Sequence, residues 1–448
     1  MNDFLFNEFQ KVTAQAWKAK IQVDLKGADY NDTLLWKSNS GITVKPFYTK
    51  GDRTKHKIKL PRKGFSICQS IPVEQEAEAN RLAVDALQRG ANSIEFVVSK
   101  KFNPEILTAG LQETAVYFRF QFFSEDFMKE LLVLLPSKNF YFNIDVVGNL
   151  AKTGNWFNNL QSDFASIQSL NKLHPNSICV NGALYQNAGA NIPQQLAYTL
   201  AHANEYLNHL GKDCANNIHI TLAVGSNYFF EIAKLRAIRL LWEALLEEYN
   251  IQNQPALHLF VTPSLRNKTL YDYNVNMLRT TSECMSAVIG GCDTVANVPY
   301  DRLFHEPNEF GERIARNQLL ILQKEAELSQ AQHTADGAYY IEAITKQIAN
   351  KALEIFKQIE NGGGFLNQLK EGTLQRKIDE AAKKEQEQFD KGELILLGTN
   401  SIQNEKDRMK NDIQVSPFLT MRNEKTLLRP IIQKRLAESL EQERLDNE

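Results

Sequence analysis

The sequence predicts a parallel (β/α)8 barrel of the TIM type, and two observations carry that prediction. Strand-like runs begin near Ser93, Ala115, Tyr141, Ser177, Ile218, Leu257, Asp293 and Ala338, most of them separated by helical segments. About eight alternations over roughly 250 residues is the arithmetic of such a barrel, with an open doubly wound sheet as the alternative. The second observation is that the strands alternate instead of reading as continuous apolar runs. Ile94, Phe96 and Val98 oppose Ser93 and Glu95, and Val116, Phe118 and Phe120 oppose Tyr117, Arg119 and Gln121. Phe142, Ile144 and Val146 oppose Tyr141, Asn143 and Asp145, and Ile220 and Leu222 oppose His219, Thr221 and Ala223. With a strand period of two, one whole face of the sheet is polar. If helices cover the outside, that polar face points into the barrel.

A polar lumen either threads a long polar ligand or is filled by side chains that satisfy one another. Tyr117, Arg119, Tyr141 and His219 are large enough to fill the bore, and unpaired burial of Glu95, Arg119 and Asp145 would cost several kcal/mol each. A hydrogen-bonded plug of Glu95, Arg119, Asp145, His219 and His258 is therefore expected.

In chain order, three segments are expected: an arm over 1–72, the barrel over 73–360, and a helical, charged tail over 361–448. The arm includes LKGADYNDTLLW and the extended run GITVKPFYT, and has too little apolar sequence for a domain of its own. Helix EQEAEANRLAVDALQR (74–89) ends at Gly90, and helix 227–248 carries Phe230, Ala233, Ala237 and Leu241 on one face. In the stretch Tyr271 to Asp301 the pattern Met277, Leu278, Thr281, Cys284, Met285 and Val288 predicts a helix with one buried stripe. That pattern leaves Arg279 and Thr280 on an exposed flank. Gly290-Gly291 stops the helix before a short strand closed by Pro299. The tail contains Gly362-Gly363-Gly364, a charged helix EAAKKEQEQFDKGE, one more expected strand in GELILLGTN, and isolated anchors at Leu419, Leu427 and Ile431.

The totals exclude several classes. A formal charge of -2 gives no basic footprint for nucleic acid, and no apolar run reaches the roughly 18 residues of a membrane helix. The amino terminus lacks signal-peptide or transit character, so the cytoplasm is expected. Five scattered cysteines with no CxxC pair read as reduced and mostly buried, and no metal site is expected. HExxH, GxSxG and P-loop motifs are absent, and His202 and His209, seven apart on a helix, read as surface residues. Strand ends offer Lys100, Lys101, Glu125 and Asp126, residue types that more often supply surface charge and helix caps than catalysis.

The stretch YNVNMLRTTSECMSAVIGGCDTVANVPYD resembles the methylmalonyl-CoA mutase family. So do SICVNGALYQNAGANIPQQLAYTLAHANEYL, VGSNYFFEIAKLRAIRLLWEALLEE, ERIARNQLLILQKE and KPFYT. The resemblance covers the chain from about residue 17 to the tail. It implies a coenzyme A-threaded (β/α)8 barrel, a cobalamin-binding flavodoxin-like domain, and heterodimers that pair a catalytic with a non-catalytic chain. Against the family's G-Y-H-M-Q-E-A-G-A, Leu184 stands at the histidine. Against T-I-R-Q-Y, Cys68 and Ser70 replace arginine and tyrosine, and Val261 replaces a glutamine near a later strand. None of the eight histidines fits the cobalamin motif D-x-H-x-x-G.

The resemblance therefore implies a small, non-catalytic subunit that stabilises a large catalytic partner. The chain is expected to bind no cofactor itself, with adenosylcobalamin on that partner, and to have no nucleic-acid or membrane partner. Arg279 and Thr280 become candidates for a structural or subunit contact. The alternatives are a catalytic acyl-CoA mutase barrel that uses a cobalamin domain on a separate chain, and an unrelated lyase or aldolase barrel.

Overall fold

The computed structural model describes residues 8–53, 58–61, 64–137, 139–252, 254–330, 333–419 and 424–448. Parts of the predicted arm, residues 1–7, 54–57 and 62–63, lie outside them. Eight parallel strands form the barrel: β1 (Ser66–Val73), β2 (Ser93–Val98), β3 (Ala115–Phe120), β4 (Phe140–Asn143), β5 (Ile178–Asn181), β6 (Ile218–Val224), β7 (His258–Pro263) and β8 (Thr294–Ala296). The hydrogen-bonded order runs β4-β3-β2-β1-β8-β7-β6-β5. A parallel bridge between Ile144 and Ile178 joins its two ends, so the sheet closes. An open doubly wound sheet is thereby excluded.

The alternation has the predicted consequence. Ile94, Phe96, Val98, Val116, Phe118, Phe142, Val180, Ile220 and Leu222 are buried in one large apolar cluster between sheet and helices. Helices Glu76–Gln88, Ile192–Leu210, Tyr228–Glu248, Val275–Ile289 and Glu309–Leu320 belong to the crossovers that surround it. Helix Tyr339–Asn361 adds a further layer, packed on Tyr228–Glu248 and Ile192–Leu210.

Three boundaries differ from expectation. The first barrel strand is Ser66–Val73, inside the segment read as an arm, so the barrel begins before residue 73. Its outward face carries Gln69, where the alternation calls for an apolar residue. Gln69 donates to Glu312, and its carbonyl oxygen accepts from Arg316 Nη1 at 3.1 Å. Ala338, taken as the start of a strand, instead caps helix Tyr339–Asn361. GELILLGTN forms turns and a single bridge, Leu397 to Ser401, with Leu396 buried in a satellite cluster. Helix Val275–Ile289 does end at the glycine pair, where Gly291 has φ +84° and a side chain would press on Leu60.

Glu312, partly buried against β1, has its carboxyl raised to about 7 because desolvation outweighs Arg302 and the Gln69 hydrogen bond. A raised carboxyl contributes stability that is full below 4.5, its ordinary value, and is lost as pH rises through 7. Replacing Glu312 by Gln is expected to remove this loss, up to about 3 kcal/mol. Urea midpoints of both proteins at pH 5 and pH 8.5 measure it; parallel pH profiles would contradict it.

Candidate functional site

The barrel axis is filled. The polar face of the strands supplies Tyr117 on β3, Tyr141 on β4, His219 on β6 and His258 and Phe260 on β7. Tyr117 stacks on Tyr141 with ring centroids 4.6 Å apart, and Tyr141 stacks on His258 at 4.6 Å. Phe260 meets Tyr117 edge-on at 4.8 Å, and His219 meets Tyr141 edge-on at 5.5 Å. The Tyr117 hydroxyl bridges Thr294 Oγ1 at 2.8 Å and His258 Nε2 at 2.9 Å. His219 Nε2 donates to Asn143 Oδ1 at 2.6 Å.

Burial keeps this stack neutral. Desolvation holds His219 near 3, helped by His258, and lowers His258 as well. It pushes Tyr141 up to about 12 and Tyr117 well above the phenol range. Charge flanks the stack at both ends: nearer the strand C-termini Glu95 lies 3.2 Å from the half-exposed guanidinium of Arg119 and accepts from Ser70 Oγ at 2.7 Å, and just before β8 Asp293, paired with Arg239 at 2.9 Å, acts on Tyr141 and His258.

Asp145 stands apart from this group. Strand β4 ends at Asn143, so the two-residue period no longer governs Asp145, which caps helix Val146–Thr153 through Gly148 N at 2.8 Å. Its carboxylate receives Tyr206 OH at 2.8 Å, His202 Nε2 at 2.9 Å and Asn181 N at 3.0 Å. Desolvation opposes its charge, yet His202 and these donors hold it below the ordinary carboxylate range. His202, expected at the surface, is completely buried and also bonds Tyr185 OH at 2.9 Å. Every residue of this helix from Pro193 to Leu207 is buried, so it has no exposed face for the pattern to separate from a buried one, which is why the pattern missed His202. His209 is exposed, as expected, and stacks on Phe164.

The substituted family positions fall in different environments. Cys68 lies in the lumen cluster with Tyr117 and Phe260, while Leu184, on the turn of helix after β5, is buried in the main apolar core. Val261 belongs to that core too, on the outward parity of β7, so it does not face the lumen. Lys100 and Lys101 are exposed; Glu125 is paired with Lys129 and Ser166.

Arg279 and Thr280 are not an exposed flank. Thr280 is buried and accepts from Gln318 Nε2 at 3.0 Å. Arg279 donates to Thr269 Oγ1, Asn276 Oδ1 and Leu397 O, each at 2.8 Å, fastening the tail to the barrel. The predicted stripe is rotated, with Leu278 69% exposed while Asn276, Thr280, Glu283 and Ala287 turn inward. Partners from the preceding loop make this polar stripe tolerable: Lys268 Nζ lies 2.8 Å from Glu283 Oε2, and Asn276 receives Thr269 N at 3.1 Å.

The loops at the strand C-termini, where barrel enzymes place their chemistry, are tied to the chain's own tail. Lys434 N donates to Asn187 O at 3.1 Å, Leu436 N to Arg266 O at 2.9 Å, and Leu270 N to Glu441 Oε1 at 2.7 Å. Arg266 Nη1 returns a bond to Lys434 O at 2.7 Å, and Ile431 N reaches Ala151 O at 2.8 Å. Of the predicted anchors only Ile431 is buried; Leu419 and Leu427 are exposed. The buried His174, His202 and His219 and the partly buried His258 are all hydrogen-bonded within the fold. No cluster of potential metal ligands occurs among the described residues, and no helix among them is long and apolar enough to cross a membrane. All five cysteines are free and buried.

Fold and site together define a closed parallel α/β barrel whose axis is crossed by stacked aromatic and imidazole side chains and whose mouth is strapped by its own carboxy-terminal segment. The chain belongs to the methylmalonyl-CoA mutase family, whose family model matches residues 155–445. It is 32% identical to the methylmalonyl-CoA mutase small subunit of Porphyromonas gingivalis over 442 residues, 89% of this chain and 71% of that protein. Identity to the methylmalonyl-CoA mutase of Rhizobium meliloti is 35% over 249 residues, 54% of this chain and 35% of the relative. With the methylmalonyl-CoA mutase large subunit of Porphyromonas gingivalis it is 30% over 247 residues, 53% of this chain and 34% of the relative. The chain thus spans about a third of the length of the latter two relatives.

Proposed function

We propose that this chain is the non-catalytic small subunit of a heterodimeric methylmalonyl-CoA mutase. In this reading it stabilises a large subunit that carries adenosylcobalamin and interconverts methylmalonyl-CoA and succinyl-CoA, and it binds neither cofactor nor acyl-CoA itself. The observation that carries the reading is the stack of Tyr117, Tyr141, His219 and His258 across the axis, which leaves no bore for a pantetheine arm. Leu184 at the family's histidine position supports it, since an isobutyl group cannot hydrogen-bond a thioester. The tail-bound mouth supports the absence of cobalamin from this chain. Likeness both to a relative named as a small subunit and to one named as a large subunit supports a two-chain assembly.

The test is co-expression with a large mutase subunit. A one-to-one complex is expected by size exclusion with light scattering. Calorimetry of the isolated chain with succinyl-CoA or adenosylcobalamin is expected to give no heat of binding. Tight acyl-CoA binding by the isolated chain would favour the alternative, a catalytic barrel served by a cobalamin domain on another chain.

A further inference from the structure

The tail is joined to the barrel near β8 by one imidazole held between two carboxylates. His305 lies in the loop after β8, with Nδ1 3.1 Å from Asp301 Oδ2 and Nε2 3.3 Å from Asp412 Oδ1. Asp301 is buried on the barrel side and also receives Asn308 Nδ2 at 2.7 Å. Asp412 is half-exposed and belongs to the tail. The same stretch of tail lies along the loop, with Gln414 N and Val415 N donating to Phe304 O at 2.7 and 3.0 Å and Glu306 N donating to Gln414 Oε1 at 3.1 Å. Beneath it, Met409 is buried with Leu270, Tyr271 and Phe304.

An imidazolium has two N–H donors and serves both carboxylates at once. A neutral imidazole has one, so the second carboxylate then faces a lone pair. Asp301 keeps the Asn308 donor and its burial. Asp412 has solvent as an alternative and is the partner that lets go.

We propose that His305, Asp301 and Asp412 form a proton-dependent latch that fastens tail residues 404–418 to the barrel and loosens them as pH rises through neutrality. The charges acting on His305 are those of Asp301 and Asp412. Burial opposes its charge, the two hydrogen-bonded carboxylates outweigh burial, and the imidazole is held above its ordinary value. Tyr273 and Tyr300, packed at the same loop, are raised by burial and stay neutral. The sign follows: the latch is complete below pH 6.5, the ordinary histidine value, and is lost as pH rises through the raised one. The remaining backbone bonds keep the tail in place, so the loss is local.

Hydrogen exchange of the full chain, read by mass spectrometry on peptides within 404–418 and corrected for intrinsic rates, tests the latch. Between pH 5.5 and 8.5 protection of these peptides is expected to fall about tenfold for each unit by which His305 is raised. Peptides of β6 should not change. His305→Gln should abolish the pH dependence, and Glu312→Gln, which removes the other neutral-range group near Asp301, should leave it intact. Equal protection of the wild-type tail at both pH values, or pH dependence retained in His305→Gln, would overturn the proposal.

Discussion

Glu283→Ala is expected to destabilise the protein by about 3–5 kcal/mol, because it leaves the ammonium of Lys268 buried without its counter-charge. Glu283 accepts from Lys268 Nζ with both oxygens, at 3.0 and 2.8 Å, and from Asn267 Nδ2 at 2.6 Å, and both members of the pair are almost wholly buried. Burial pushes the Glu283 carboxyl up and the Lys268 amine down, each opposed by its partner, so the pair is held together against its desolvation. The measurement is the urea midpoint followed by far-ultraviolet circular dichroism. The double variant Lys268→Met/Glu283→Leu should recover most of the loss, since no buried charge remains. A single variant within 1 kcal/mol of wild type would show that water reaches the pair.

Tyr117→Ala is expected to cost about 3–5 kcal/mol, the range for deleting a buried aromatic side chain and leaving a cavity. Tyr117 is 1% exposed, stacks on Tyr141 and joins His258 to Thr294 across the lumen. Tyr117→Phe separates the two contributions: it keeps the ring, orphans two polar groups, and should cost about 1–3 kcal/mol. If the role is scaffolding, either variant lowers the yield of the heterodimer while the turnover of the complex that does form stays unchanged. A loss confined to turnover, with stability intact, would place Tyr117 in catalysis and count against a filled, silent lumen.

The barrel and the two faces of its wall were legible from the strand period alone, as β2, β3 and β4 demonstrate. There every second residue is apolar, and those residues pack against helices while the others fill the axis. The same logic failed at β1, where Gln69 occupies an outward position and is satisfied by Glu312 and Arg316, partners nearly 250 residues away in sequence. It failed in part on helix Val275–Ile289, where Cys284 and Val288 are buried as the pattern requires but Asn276, Thr280 and Glu283 also turn inward and Leu278 faces out. Periodicity assumes that burial selects apolar side chains, and it cannot see a polar side chain whose burial is offset by a partner from another element. Run length misled in GELILLGTN, where Leu394 and Leu396 pack into a satellite cluster while Ile395 and Leu397 are exposed, without a neighbouring strand to pair with.

By itself, the sequence determined the fold class, the two-faced alternation of the barrel wall and the replacement of the family's histidine by Leu184. Each of these depends on residue identity and local period. Only the tertiary structure decided that Asp145 leaves the lumen to hold His202 and Tyr206, that Arg279 grips Leu397, and that the carboxy-terminal segment binds the loops at the barrel mouth. Those contacts join residues 57 to 280 positions apart, and a hydrogen bond that closes such a long loop leaves no periodic trace in the chain that makes it.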